Sequence, residues 1–173
     1  MSVQIKNLDM ASEVQVYNNF LSKTDFNELK KILLGVNFPY YFQIYKVSDG
    51  DGFFQFTHIF YQNHNISSNY YDNLNPILDK LNVVSLMRIK ANLQTKDSEI
   101  RTSAMHTDWP NPLENQKTGI FYMNTNNGKT IFEDGEEISS VENKMIIFPA
   151  SKQHAGTTHT DTTYRCLINF NWF

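Results

Sequence analysis

A histidine and an aspartate two positions apart, His106 and Asp108, have types and spacing that suit metal chemistry. On an extended strand, residues i and i+2 point to the same face, so this imidazole and this carboxylate would converge on one point. Two protein ligands hold a metal weakly, and His154 supplies a third. Two imidazoles and one carboxylate on one face of an octahedral ion leave three positions open, as is typical of non-haem Fe(II) centres. The sequence therefore predicts an iron site formed by His106, Asp108 and His154.

An arginine, Arg165, follows His154 by 11 residues and opens an apolar run that includes Cys166 and Leu167. Strand alternation puts Arg165 on the face of Leu167, opposite Cys166, where it would be costly to bury without an anion. We expect His154 and Arg165 to lie side by side in a final hairpin. His159 is an alternative third ligand whose spacing to Arg165 fits less well. Taken alone, the His-x-Asp pair could equally be a hydrogen-bonded pair at a strand end.

The composition limits the classes of protein to which this chain can belong. Its 173 residues suffice for one compact domain, and we expect residues 1–173 to form it. A formal net charge of −3 gives no indication of a nucleic-acid-binding surface. The single cysteine, Cys166, excludes an internal disulfide, and residues 1–6 lack the apolar core of a signal peptide. Because no apolar run reaches the length of a membrane span, we expect a cytoplasmic protein without a membrane partner.

Hydrophobic periodicity predicts a mixed first half and an almost all-β second half. The predicted helices span residues 25–34, with Thr24 as N-cap, and residues 67–81, with a kink or split at Pro76. The predicted strands lie within residues 1–20, 38–47, 53–61, 83–95, 118–125, 129–133, 145–148, 154–159 and 164–172, and His106 lies on a further one. The Asn126-Asn127-Gly128 sequence predicts a hairpin turn. Short strands with such turns favour a sandwich or barrel with both helices on one outer face.

Several segments between Leu86 and Phe173 carry motifs that can be compared with known families. These segments are Arg88–Leu93, His106–Asp108, Gly119–Asn124, Gly128–Phe132, Asn143–Phe148, His154 and Arg165. In them the chain resembles the Fe(II)- and 2-oxoglutarate-dependent dioxygenases, in particular the small prolyl-4-hydroxylase-like branch of bacteria and phages. The resemblance implies a mainly β fold with flanking helices, the double-stranded β-helix or jelly roll.

The resemblance also implies a role for each matching residue. His106, Asp108 and His154 match the iron ligands of the family. Arg165 matches the residue that pairs with the distal carboxylate of 2-oxoglutarate, for which the planar fork of a guanidinium is well suited. Tyr122 matches a tyrosine that hydrogen-bonds the same carboxylate. Two further observations concern the strand before the iron motif: Asn92 is expected to line the cosubstrate pocket, and residues 90–95 lack the tyrosine that prolyl hydroxylases often place there.

The activity that the resemblance implies is hydroxylation of a C–H bond with Fe(II), 2-oxoglutarate and O₂, which yields succinate and CO₂. We expect the substrate to be a prolyl residue of a peptide or protein. Two alternatives stay open: the same chemistry on a free amino acid or another small metabolite, and a non-catalytic jelly-roll binding module with a structural metal. A structural site would need a fourth protein ligand, and no cysteine or histidine is placed to supply one. Arg165 would also have no purpose in a structural site.

Overall fold

The computed structural model of the protein describes residues 14–173. The helices are α1 (Lys23–Leu33) and α2 (Asn75–Leu81), the latter preceded by a 3-10 turn (Tyr71–Leu74). The strands are β1 (Gln15–Tyr17), β2 (Tyr41–Gln43), β3 (Gln55–Gln62), β4 (Asn65–Ile66), β5 (Leu86–Thr95), β6 (Lys117–Tyr122), β7 (Lys129–Phe132), β8 (Glu137–Ser139), β9 (Lys144–Pro149), β10 (His154–Gly156) and β11 (Tyr164–Trp172). Only β1 represents the strand predicted within residues 1–20, of which residues 1–13 lie outside the described part. Within residues 14–173, no helix is long and apolar enough to cross a membrane.

The strands form a large sheet and a small sheet, and all the strand pairs are antiparallel. The large sheet has the order β1-β9-β6-β11-β5-β3-β2, with β4 paired to β3, and the small sheet has the order β10-β7-β8. Strand β11 lies at the centre of the large sheet and pairs with both β5 and β6. Its polar residues therefore have fixed neighbours on both sides.

Side-chain alternation on the large sheet produces two apolar layers. One layer packs against α1 and α2 and includes Phe121, Cys166, Ile168, Phe170 and Trp172. The other lies between the two sheets and includes Ile120, Tyr122, Phe132, Ile146, Phe148 and Leu167. The predicted strand alternation is thus confirmed for Cys166, which packs on the helix side while Leu167 faces the small sheet. Burial raises the pKa of the Cys166 thiol to about 12, as expected for an inert core residue.

The first residues of α1 and α2 explain where each helix begins, and one predicted helix cap is corrected. The N-cap of α1 is Ser22, whose hydroxyl accepts a hydrogen bond from the Asp25 backbone at 3.1 Å, so the predicted cap at Thr24 is wrong. The predicted helix over residues 67–81 is split into the 3-10 turn and α2. Pro76 lies in the first turn of α2, where its missing N–H costs no hydrogen bond.

Two predicted hairpins are wrong, for a common reason. Strand β6 pairs with β9 and β11, and β7 pairs with β8 and β10, so the Asn126-Asn127-Gly128 segment carries the chain from one sheet to the other. Strands β10 and β11 likewise belong to different sheets, so His154 and Arg165 are not hairpin neighbours. A turn signal predicts that the chain changes direction, but it does not determine which sheet the next strand joins.

Candidate metal centre

The three predicted ligands meet at the edge of the small sheet. His106, Asp108 and His154 each offer one ligand atom, and these atoms all lie within 4.8 Å of one another. An isolated bridge joins the two histidines through backbone hydrogen bonds of 3.0 Å and 2.9 Å, and their rings are 4.7 Å apart. The prediction that His106 lies on a regular strand is therefore wrong. An isolated bridge and the bend after it bring Asp108 to the same point.

Each imidazole is held in a form that can bind a metal. The Nδ1 atom of His106 lies 3.1 Å from the carbonyl of Ala104, which can only accept, so Nδ1 carries the proton and Nε2 presents its lone pair. His154 is buried against the ring of Phe148 at 5.1 Å. Burial lowers the pKa of His154 to about 4, although the negative charge of Asp108 opposes the shift. The His154 ring is consequently expected to be neutral near pH 7, as metal ligation requires.

The carboxylate of Asp108 is ionised and tightly oriented. Its side chain is only 5% exposed, and it accepts hydrogen bonds from the amides of Asn171 at 3.0 Å and Asn169 at 3.2 Å. Arg88 lies 3.4 Å away. Burial alone would raise the pKa of Asp108, but the nearby charges of Arg88, His154 and Lys90 and the Asn171 hydrogen bond hold it well below its usual range.

This donor set fits Fe(II) or a similar divalent ion. Two imidazole nitrogens and one carboxylate oxygen converge, and no other histidine, cysteine or carboxylate within residues 14–173 joins the group. A structural zinc site would be closed by a fourth protein ligand, whereas three ligands leave positions for other molecules. The Nδ1 atom of His154 is buried and has no hydrogen-bond partner among the described residues. The role of these residues as metal ligands stays a proposal, developed below.

A cavity runs from this group to Arg165 and is lined partly by Asn92, Gln94 and Thr130. Arg165 is 2% exposed and donates to Ser140 at 3.1 Å, to the Lys129 carbonyl at 3.3 Å and to Gln94 at 3.5 Å. None of the ion pairs within the described residues includes Arg165. A buried guanidinium facing a cavity without a carboxylate partner is a site that favours an anion.

A glycine makes room for this guanidinium. A Cβ on Gly128 would lie 2.9 Å from both Cδ and Nε of Arg165, closer than a real Cβ approaches another atom. The close contact explains why the turn that connects the two sheets ends in glycine. The Arg165 side chain therefore packs directly against the backbone of Gly128.

Tyr122 does not line the cavity directly. Its hydroxyl donates to the hydroxyl of Thr130 at 2.7 Å, and it is Thr130 that faces the cavity. Burial raises the pKa of Tyr122 to about 12 against the opposing effect of Arg165, so the phenol stays protonated. The structure thus places Tyr122 one residue behind the cavity wall.

Apart from Asn92 and Arg165, sequence reasoning missed the polar residues on the cavity side of the large sheet. Lys90 and Asn92 on β5 lie opposite Asn169 and Leu167 on β11, and Asn171 lies opposite Arg88. Asn92 lines the cavity as predicted and donates to Asn169 at 3.1 Å. The signal that could have identified this row was the alternation of polar residues at 88, 90, 92 and 94, in register with 165, 169 and 171.

Three other histidines lie outside the metal group, and two of them, His58 and His159, are buried. His159 is fully buried but does not belong to the cluster, in agreement with the preference for His154. His58 has both ring nitrogens within hydrogen-bonding distance of protein oxygens, the Pro39 carbonyl at 2.8 Å and the Ser68 hydroxyl at 2.7 Å. It is also packed against the ring of Phe38 at 4.5 Å, so it is a core histidine.

Comparisons with known proteins locate this architecture among solved structures. No family model and no curated protein matches the chain. A prolyl hydroxylase from Trichoplax adhaerens, solved with a peptide of hypoxia inducible factor, is 12% identical with a TM-score of 0.69, covering 94% of this chain and 84% of that one. HygX from Streptomyces hygroscopicus, solved with nickel and 2-oxoglutarate, is 10% identical with a TM-score of 0.59, covering 93% and 82%. The epimerase SnoN, solved with Fe³⁺, α-ketoglutarate and nogalamycin RO, is 11% identical with a TM-score of 0.64, covering 94% and 79%.

These likenesses establish the fold. The chain has the mainly β architecture with flanking helices that these oxygenase structures share, so the predicted double-stranded β-helix is confirmed. At 10–12% identity the activity has to be argued from the residues of this chain.

Proposed function

We propose that the protein is an Fe(II)- and 2-oxoglutarate-dependent dioxygenase that hydroxylates a C–H bond, with a peptidyl proline as substrate. In this proposal His106, Asp108 and His154 hold the iron, and Arg165 binds the distal carboxylate of 2-oxoglutarate. One observation carries it: two imidazoles, a carboxylate and a buried guanidinium line one cavity, and no ion pair within residues 14–173 includes that guanidinium. That combination suits a metal ion together with an anion that reaches it.

When bound, iron and 2-oxoglutarate would supply the oxidising chemistry, converting 2-oxoglutarate and O₂ to succinate and CO₂ with hydroxylation of the substrate. The contribution of the chain is geometric. The amides of Asn169 and Asn171 fix the orientation of Asp108, and the apolar side chains of Ile120 and Leu167 line the cavity between its two ends. No side chain has to act as a general base in this chemistry.

Succinate release tests the proposal directly. The purified protein with Fe(II), 2-oxoglutarate and O₂ is expected to form succinate, and proline-containing peptides are expected to increase the rate. His106→Ala and Asp108→Ala are expected to abolish iron-dependent turnover while circular dichroism shows a folded protein. Retained activity in either variant would count against the site, and failure to bind iron or turn over under any condition would favour a binding module.

A second candidate substrate class is a free amino acid or another small metabolite. The cavity wall beside Asp108 carries Lys90, whose pKa is lowered mainly by burial and then by the charge of Arg88. A neutral prolyl peptide offers no negative charge to Lys90 and Arg88, whereas a small metabolite with a carboxylate does. Iron-dependent turnover that small carboxylic acids stimulate, and proline-containing peptides do not, would favour this candidate.

A further inference from the structure

Lys46 lines the cavity near Arg165 and has no role in the proposed function. It comes from the connection between β2 and β3, residues 44–54. This connection is fixed by Asp51, whose carboxylate accepts hydrogen bonds from the backbone of Lys46, Val47, Ser48 and Phe53. The Lys46 ammonium itself donates to the Gly156 carbonyl at 2.9 Å. Among the described residues, no carboxylate forms an ion pair with it.

Because Gly156 has no side chain, two cations can approach the same point beside it. A Cβ at this position would lie 3.0 Å from Nζ of Lys46 and 3.7 Å from Nη1 of Arg165, so both nitrogens border the same space. Like charges this close repel each other, and because Arg165 is buried and Lys46 half-buried, little water screens the repulsion. An anion between them would relieve the repulsion, whereas a neutral molecule would not.

Arg165 has too few free N–H groups to fill all the hydrogen-bonding positions of such an anion. Three of its five N–H groups already meet protein acceptors, on Ser140, Gln94 and the Lys129 carbonyl. An ionised carboxylate has about four lone-pair directions for donors. Lys46 borders the same space and can supply a further donor together with a charge.

We propose that Lys46 is a second contact for the distal carboxylate of 2-oxoglutarate, so that the connection between β2 and β3 is part of the cosubstrate site. This inference rests on the proposed function. It adds a residue from outside the β-helix motifs to the carboxylate subsite of Arg165.

The protonation state of Lys46 gives the contact a measurable consequence. Burial and then the charge of Arg165 lower the pKa of Lys46 to about 7, with Lys90 on β5 adding to the effect and Asp51 opposing it. His154 on β10 is the remaining titratable group whose charge interacts with Lys46, and a bound metal holds it neutral. A carboxylate beside the ammonium favours its charged form, so binding of 2-oxoglutarate takes up a proton at pH 8.

Calorimetric titration of the Ni(II)-loaded protein with 2-oxoglutarate measures this uptake without turnover. Heats recorded in two buffers of different ionisation enthalpy give the number of protons exchanged. For a group whose pKa rises from about 7 to well above 8, the uptake is about 0.9 proton at pH 8 and about 0.1 at pH 6. The dissociation constant is accordingly expected to rise as the pH increases above 7.

Three variants assign the proton and the affinity to Lys46. Lys46→Met is expected to weaken 2-oxoglutarate binding about 10- to 100-fold at pH 7 and to take up no proton. Lys46→Arg keeps its charge at every pH tested, so it is expected to retain most of the affinity without proton uptake. Lys80→Met is the matched control, because the Lys80 ammonium also donates to a backbone carbonyl, that of Phe20 at 2.6 Å, away from the cavity. Circular dichroism checks folding, and Lys46→Gln replaces the methionine variant if that variant is unfolded.

The outcomes separate this inference from the function on which it rests. If Lys46→Met binds 2-oxoglutarate as tightly as the wild-type protein, Lys46 is not a contact and the dioxygenase proposal stands. If the Ni(II)-loaded wild-type protein does not bind 2-oxoglutarate at all, both proposals are overturned.

Discussion

Replacing Asn171 by leucine tests how the last strand controls the metal centre. Asn171 is fully buried. Its amide group donates to Asp108 at 3.0 Å and to the Thr118 hydroxyl at 3.1 Å, and its carbonyl oxygen accepts from Arg88 at 3.2 Å. Leucine has nearly the same shape but none of these hydrogen bonds. The substitution therefore removes the shortest hydrogen bond to the carboxylate without opening a large cavity.

The expected loss follows from the contacts that remain. Asp108 keeps the Asn169 amide at 3.2 Å and Arg88 at 3.4 Å, so its carboxylate stays ionised but less firmly oriented. Removing a group that orients a metal ligand typically weakens metal binding about 10- to 100-fold. The unsatisfied partners left in the interior are expected to lower the free energy of unfolding by about 1–3 kcal/mol. We therefore expect Asn171→Leu to fold but to bind divalent metal at least about tenfold more weakly.

Metal titration and urea unfolding measure the two effects separately. Asn143→Leu is the control for lost stability: Asn143 makes two hydrogen bonds to the backbone of Leu21, at 2.9 Å and 3.0 Å, and adopts a φ of +58° that leucine tolerates poorly. It is expected to be destabilised without a change in metal affinity. If Asn171→Leu binds Fe(II) or Ni(II) within twofold of wild type, the orienting role of Asn171 is refuted.

Three further changes test other parts of the structure. Arg165→Ala is expected to raise the 2-oxoglutarate dissociation constant by one to two orders of magnitude, about 1.5–3 kcal/mol of a charge-assisted pair, and an unchanged constant in calorimetry would place the cosubstrate elsewhere. In metal-free protein, His154 has a folded-state pKa of about 4, whereas the unfolded chain binds the proton near pH 6.5. The folded state is thus at its most stable above pH 6.5 with respect to this group, and lowering the pH to 4 is expected to remove up to about 3 kcal/mol of unfolding free energy. Urea titrations at several pH values should show that the unfolding free energy of His154→Gln depends less on pH than that of the wild-type protein, and an equal dependence would refute the role of His154. Phe121→Ala removes a fully buried ring that lies 6.1 Å from those of Phe20 and Phe26, so it is expected to cost about 3–5 kcal/mol in urea unfolding, and a loss below 1 kcal/mol would contradict the helix-to-sheet core.

The sequence could point to His106, Asp108 and Arg165 because their signal is local, although their roles at the site stay a proposal. His106 and Asp108 are two positions apart, and Arg165 interrupts an apolar run whose alternation defines its face. The same alternation was present in β5 at Lys90 and Asn92, but polar residues on one face of a strand also occur on solvent-facing sheets. Their partners on β11 became evident only with the strand register, which local sequence does not encode.

Strand pairing was the least predictable part of the fold. The Asn126-Asn127-Gly128 turn has the composition of a tight hairpin, yet the chain crosses there to the other sheet. Hairpins are formed by short-range contacts, whereas the jelly roll pairs β6 with β9 and β7 with β10 over long stretches of chain. Lys46 was missed for a similar reason, because a lysine in a connection between strands carries no signal until the fold brings it to Arg165.

One strand determines both ends of the candidate site. Arg165 lies four residues before Asn169 and six before Asn171. At the rise of an extended strand, these two residues lie about 13 Å and 20 Å from Arg165 along β11. Because β11 is hydrogen-bonded to β5 and β6 on its two sides, it cannot stretch or shift independently of the sheet. On the proposed function, the span from Asp108 to the guanidinium, and hence the length of diacid that fits, is a property of this strand. A slip of one residue would turn Cys166 toward the cavity and Arg165 into the apolar layer beneath α1, so the register that stabilises the core also assembles the site.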